Sequence, residues 1–172
     1  MNYPKWLIEE LRSDHAGETG AVEIYRGILA TCRDPKIREF ASKHCKTEQG
    51  HLDILNTELS STEKSKLLPI WRIAGFLTGA IPGLLGTKAV YATIDAVETY
   101  VDHHYQQQID RLEKENLFPE LKETLIHCQK DEVDHRDEAR EATVGPLEAP
   151  LKVWSCMITQ GSKTAVELAK RV

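Results

Sequence analysis

The 172-residue chain has little of what marks the commonest functional classes. Its four cysteines (Cys32, Cys45, Cys128 and Cys156) stand far apart with no Cys-x-x-Cys pair. That excludes a zinc ribbon or a disulfide framework and points to reduced thiols in an intracellular protein. Aromatic residues are only 6% of the chain, and 22 basic against 27 acidic side chains leave a net charge of −5. An acidic balance of this kind argues against nucleic acid as the main partner. No uncharged run reaches the roughly 20 residues of a membrane-spanning helix. The longest, between Arg72 and Lys88, has 15 residues and is interrupted by Gly75, Gly79, Pro82 and Gly83. No segment alternates apolar and polar residues as a half-buried strand does. The opening "MNYPKWLIEELRSDHAGE" has no apolar h-region and is too acidic for a transit peptide. The expectation is a chain that stays where it is made, or one whose presequence has been removed.

What is present is helical periodicity, nearly end to end. The length suits a single domain spanning 1–172, large enough to bury a core without staples. A first helix is predicted from Trp6 to Thr31. Asp34-Pro35, an N-cap followed by proline at the first helical position, opens a second to Leu59. "SSTEKSK" reads as a polar linker, followed by the apolar segment 67–86. A fourth helix is predicted from Thr87 to Glu115, and a fifth from Pro119 to Ala142. "TVGPLEAP" breaks the chain before a last amphipathic helix within 150–171. Its predicted stripe is Leu151, Trp154, Ile158, Gly161, Ala165 and Leu168. Six helices without a sheet make an all-α protein.

Four of these helices carry acids where leucines belong. The inward stripe of the fifth is expected to run Leu121, Leu125, Cys128, Glu132, His135, Ala139 and Ala142, at the three- and four-residue steps of a bundle helix. On the second, Ala41, His44, Glu48, His51 and Leu55 share a stripe. Glu18 sits mid-stripe on the first helix, with Leu11, Asp14, Ala21, Tyr25 and Ile28. Glu98 does so on the fourth, with Ile94, Val101, Tyr105 and Leu112. The order is therefore Glu18, Glu48-x-x-His51, Glu98, Glu132-x-x-His135. One Glu from each of two helices and Glu-x-x-His from each of two others is the ligand pattern of di-iron and di-manganese bundles. The longer stretch from His51 to Glu98 fits the single crossover of a ferritin-like four-helix bundle. Four buried carboxylates cost several kcal/mol each if left unpaired, whereas two divalent cations cancel all four charges. Oxygen-rich ligation with two imidazoles and no thiolate suits iron or manganese better than structural zinc. Asp14, one turn before Glu18, and Asp131, next to Glu132, are placed to orient the ligand histidines, Asp131 toward His51.

Several stretches extend the pattern into a family resemblance: "RSDHAGETGAVEIY", "EQGHL", "LPIWRIAGFLTGAIPGLLG", "AVETYVDHHYQQQI" and "DEVDHRDEA". In order, and across essentially the whole chain, they resemble the demethoxyubiquinone hydroxylases. The family's six iron ligands fall on Glu18, Glu48, His51, Glu98, Glu132 and His135, the six that spacing selects. The resemblance implies two iron ions and a dioxygen-dependent monooxygenase that hydroxylates a 2-polyprenyl-3-methyl-6-methoxy-1,4-benzoquinol. Reducing equivalents would come from NADH or another reduced donor. His104 and Tyr105 match positions linked to electron and proton delivery, although Tyr105 reads equally well as core. Many relatives have Tyr where Thr19 stands and His where Arg136 stands.

A polyprenyl substrate lives in a bilayer, which changes the weight of the apolar segment. Trp71, Phe76, Leu77, Ile81, Leu84 and Leu85, flanked by Arg72 and Lys88, suit a helix in the membrane interface or along a substrate channel better than a core helix. The expected partners are the quinone, a membrane surface, a ubiquinone-biosynthesis complex with a lipid-binding protein, and a second copy of the chain. The expected location is the cytoplasmic face of a bacterial membrane, or the matrix face of the mitochondrial inner membrane if a presequence has been removed. The rivals on the same helices are a ferroxidase or another di-iron oxidase. The apolar third segment opposes the cage-forming ferroxidase, and the lack of a cysteine-rich iron module opposes a rubrerythrin-type peroxidase.

Overall fold

A computed structural model describes residues 3–172. Six helices follow one another: α1 (Lys5–Thr31), α2 (Pro35–Glu58), α3 (Leu68–Leu85), α4 (Thr87–Glu115), α5 (Pro119–Glu141) and α6 (Ala149–Ala169). Among the described residues there is no strand, so the protein is all-α with the helix content of a ferritin-like fold. The predicted boundaries hold to within two residues. At the start of α2, the Asp34 carboxylate accepts from the Lys36 and Ile37 amides at 2.9 and 3.2 Å, satisfying donors that the first turn cannot. The α5 start is different. Phe118 holds a left-handed conformation (φ 45°) just before Pro119, and no side chain caps it.

The chain forms two compact units. The first comprises residues 1–90 and 160–172, the second 91–159. In the first, α1 packs against α2 on one side and α3 on the other. This explains why α1 is buried well beyond its ligand stripe, with Val22, Ile24 and Gly27 inside as well as Tyr25 and Ile28. The C-terminal end of α6 is tied down here too. The Arg12 guanidinium donates to the Glu63 and Lys170 carbonyls at 2.5 and 3.1 Å, and Lys170 Nζ reaches Glu10 at 2.8 Å.

The α1–α3 contact is made where side chains are missing. Gly75, Gly79 and Gly83 follow one another at four-residue steps, which places them on one row of α3. A Cβ on Gly75 would strike the Gly20 carbonyl oxygen, and one on Gly79 the Ile24 carbonyl oxygen. From the α1 side, a Cβ on Gly27 would meet the Phe76 carbonyl and, at 2.7 Å, the Ala80 nitrogen. Thr31 Oγ1 lies 2.9 Å from Gly27 O and 3.1 Å from Ala80 O, so its one proton is shared between the two helices. The glycines that read as interruptions in the sequence are therefore a packing seam within a continuous helix, which also accommodates Pro82.

With glycine inside, the bulk of α3 points out. Ile73, Leu84 and Leu85 are 64, 74 and 68% exposed, and Ile70, Phe76, Leu77 and Ile81 are exposed too. This is the reverse of a core helix. The stripe expected on α6 needs one correction. Gly161 and Leu168 are exposed, while Ser162, Val166 and Ala169 turn inward. The inward face of a 3.6-residue helix drifts relative to a fixed three-and-four count, and over 21 residues the drift moves it by one position.

Candidate metal centre

Each compact unit holds one triad of two carboxylates and an imidazole. In the first unit, α1 supplies Glu18 and α2 supplies Glu48 and His51. Each offers a ligand atom within 4.8 Å of the others. His51 Nδ1 is 3.8 Å from a Glu18 oxygen and 3.6 Å from a Glu48 oxygen. Glu48 and His51 share a face because three residues on a helix bring two side chains back to one side. In the second unit, α4 supplies Glu98 and α5 supplies Glu132 and His135, again within 4.8 Å. His135 Nδ1 is 3.3 Å from a Glu132 oxygen. All six side chains are 4% exposed or less.

Burial has an electrostatic cost that a cation would remove. Desolvation, with a smaller push from the neighbouring Glu48 charge, raises the Glu18 carboxyl from its ordinary range to about 7, despite the opposing pull of His51. Carboxylates and imidazoles without thiolate are the donors hard and borderline divalent ions take. Donor type, spacing and burial in each triad therefore fit a metal ion.

Behind the first triad, Tyr25, Phe40 and His44 form a buried aromatic group, with Phe40 and His44 edge to face at 4.4 Å between centroids. His15 Nε2 donates to Asn56 Oδ1 at 3.0 Å, and burial lowers its pKa, favouring the neutral ring. Asp14 is buried on the Glu18 side of α1. Thr19, also buried, donates its hydroxyl to the His15 carbonyl at 2.7 Å. In the second unit His104 and Tyr105 are both buried, and the His104 ring stacks near-parallel to Tyr100 at 6.2 Å. Asp131 is half-buried, with an oxygen 3.9 Å from His127 Nε2.

One polar cluster was not singled out from the sequence. Asp102, one turn beyond Glu98, accepts from Arg136 Nη1 at 2.5 Å and from Gln129 Nε2 at 2.9 Å. Gln129 also donates to the Asp102 carbonyl and to Gln106. The cluster joins α4 to α5 beside Glu132 and His135, with both charges of the Asp102–Arg136 pair mostly buried. The available signal was the charged Arg136 directly after a ligand histidine, but its partner lies 34 positions away.

Comparison with known proteins gives a consistent result. The family model described as "Ubiquinone biosynthesis protein COQ7" matches residues 5–169. A Dictyostelium discoideum protein named NADPH-dependent 3-demethoxyubiquinone 3-hydroxylase, mitochondrial, is 38% identical over 96% of this chain and 78% of its own length. A Rhodospirillum rubrum 3-demethoxyubiquinol 3-hydroxylase is 36% identical over 98% and 80%. A human protein with the same name as the Dictyostelium one is 34% identical over 94% and 76%.

Proposed function

This chain belongs to the COQ7 family of ubiquinone biosynthesis proteins, and from that membership we propose the reaction, the ligand set and the surface that serves it. The chain is an enzyme, a hydroxylase of ubiquinone biosynthesis acting on a 3-demethoxyubiquinol. Glu18, Glu48 and His51 together with Glu98, Glu132 and His135 hold two iron ions. The observation that carries this is the paired triads, each buried and each built from one single Glu and one Glu-x-x-His. Iron, when bound, supplies the activation of dioxygen that no side chain here can perform.

The chain's own residues do the rest. The carboxylates keep the site anionic enough to hold divalent cations, and the surrounding core excludes water from the reacting centre. Asp14 and Asp131 orient the ligand histidines through hydrogen bonds to the second ring nitrogen. His104 and Tyr105 lie buried on α4, the helix that carries Glu98, and serve proton and electron delivery. A reduced nicotinamide is the reductant class, as the names of the Dictyostelium and human relatives specify for those proteins.

The quinol's polyprenyl tail calls for an apolar approach, and α3 offers one. Its outward face carries Phe76, Leu77, Ile81, Leu84 and Leu85, with Arg72 and Lys88 near the ends. α3 has the length and apolarity of a short spanning helix. Its backbone is seated on α1 from Gly20 to Thr31, and α1 carries Glu23 and Arg26 along the same stretch. A helix so joined lies in the interface with its outer face in the acyl boundary. A ferroxidase reading has less support, because the relatives are named as hydroxylases and this face is apolar.

A single-turnover experiment tests the proposal. The protein is loaded anaerobically with ferrous iron, given a short-tailed demethoxyubiquinol, and exposed to oxygen-18. The expected result is a labelled hydroxyquinone that disappears in Glu98→Ala. Iron oxidation without labelled product would overturn the hydroxylase reading.

A further inference from the structure

Along α4, Asp95, Asp102, Gln106 and Glu113 recur at steps of seven and four, and along α5 Lys122, Gln129 and Arg136 recur at sevens. Such spacings return side chains to one edge of a helix. The structure pairs the two edges. Counting away from the turn that joins the helices, Lys122 reaches Glu113, Gln129 reaches Gln106, and Arg136 reaches Asp102. Farthest out, Arg140 reaches Asp95 at 2.6 Å and Thr99 at 2.8 Å. The partners recede in step, so α4 and α5 run antiparallel with their axial register held along this edge.

One member of the ladder differs from the rest. Both Asp102 side-chain oxygens are gripped from α5, Oδ1 by Gln129 and Oδ2 by Arg136. Gln129 and Arg136 flank Glu132 and His135 in the chain, and Asp102 stands one turn beyond Glu98. The Arg136 side chain is 16% exposed against 47% for Arg140. Exposed ion pairs contribute little, so the hold at the level of the second triad falls to Asp102. The turn cannot supply it. Asn116 and Phe118 are left-handed there, and the Leu117 amide donates to the Leu112 carbonyl, which fixes only the closed end of the hairpin. Glu98 lies about 26 Å away along the helix axis, at 1.5 Å per residue. A slip of one residue would shift it by about 1.5 Å and turn it by about 100°. A binding constellation tolerates about 0.5 Å.

We propose that Asp102, held by Arg136 and Gln129, is a positioning residue that keeps Glu98 level with Glu132 and His135, so that the second triad holds a divalent cation tightly. This rests on the metal-binding reading above. Charge and register make opposite predictions for Arg136. A guanidinium close to a cation site repels the cation, so by charge alone its removal would tighten binding. If the guanidinium instead holds the carboxylates of α4 and α5 in place, its removal weakens binding.

The test is anaerobic titration of metal-free full-length protein with cobalt(II), followed by its ligand-field absorption in competition with a chelator. Arg136→Met keeps the packed stem and removes the guanidinium. The expected result is about tenfold weaker binding of one ion, the same ion that Glu98→Gln weakens, with an altered absorption spectrum. Asp102→Asn should weaken that ion too, and Arg136→Lys should keep most of the wild-type affinity. Asp34→Ala removes the α2 cap and lowers the melting temperature, yet should leave the cobalt titration unchanged. Tighter binding in Arg136→Met, or wild-type affinity in both Arg136→Met and Asp102→Asn, overturns the positioning role and leaves the metal-binding reading intact. An equal loss in Asp34→Ala does the same, since it would trace the effect to stability alone. A wild type that binds no cobalt overturns both.

Discussion

Replacing Gly79 with alanine should be one of the more damaging single-methyl changes in the protein. In an ordinary helix the change is favourable, because alanine is better than glycine by about 1 kcal/mol in a helix interior. Here the new Cβ would land on the Ile24 carbonyl oxygen. The obstructing atom is backbone, so no rotamer change relieves the overlap and the two helices must part along the seam. Overpacking of this kind costs typically 1–3 kcal/mol, and separation also loosens the neighbouring Gly75–Gly20 and Gly27–Phe76 approaches. The estimated net effect is a loss of about 1–3 kcal/mol, or about 2–10 °C in melting temperature for a chain of this size. Gly161, also helical, has nothing within 4 Å of its virtual Cβ, so Gly161→Ala should raise the melting temperature by about 2–4 °C. The assay is thermal unfolding of wild type and both variants in one buffer. If Gly79→Ala melts at or above the wild type, the α1–α3 backbone approach does not hold.

Three further outcomes follow from other parts of the structure. The raised carboxyl of Glu18 makes the metal-free protein lose stability with rising pH. Between the ordinary value near 4.5 and about 7 the native chain keeps a proton that the unfolded chain has released, so stability falls across that window by an amount on the order of 1–3 kcal/mol. Glu18→Gln should remove the slope, and identical pH profiles for the two proteins would refute this origin. The Asp102–Arg136 pair should show a coupling of about 1 kcal/mol in a double-mutant cycle with alanine, partly restored by Arg136→Lys, while additive single losses would mean that the ion pair contributes nothing. Replacing both Leu84 and Leu85 with aspartate should abolish sedimentation with anionic vesicles while leaving the melting temperature unchanged, because both side chains already face outward. Equal sedimentation of variant and wild type would exclude α3 as the docking face.

Much of the architecture was legible from residue order. Helix ends were marked by residues with a local role, such as Asp34 and Pro119, and such signals do not depend on distant partners. The six carboxylate and histidine positions were legible because an acid in a leucine stripe conflicts with its surroundings, and the conflict repeats on four helices. The seam was harder to see. Gly75, Gly79 and Gly83 read as weak points because local sequence carries no information about what approaches a helix from outside. The Gly20 and Ile24 carbonyls explain Gly75 and Gly79, and the Thr31 hydroxyl explains Gly83. The Asp102–Arg136 pair was missed for the same reason, since two charges far apart in sequence look like two solvated residues. In α6 the error was geometric, a stripe counted forward without allowing for drift.

The α3 seam reverses the usual pattern of mutational tolerance. In most helices the buried side demands particular shapes and the outer side accepts almost anything polar. On α3 the buried row accepts nothing larger than a hydrogen at Gly75 and Gly79, so the azimuth of the helix is set by where bulk is missing. Turning α3 by one residue, about 100°, would bring Phe76 or Ala80 onto α1 in place of a glycine. The outward residues are then free to exchange among Leu, Ile, Phe and Met without disturbing the helix's seat. A saturation scan would show a narrow keyway of positions where even alanine fails, set against a broad outer band that tolerates any greasy side chain and rejects only charge. On the docking role proposed for α3, the outer band can be retuned to bilayers of different thickness or composition while the seam beneath stays fixed.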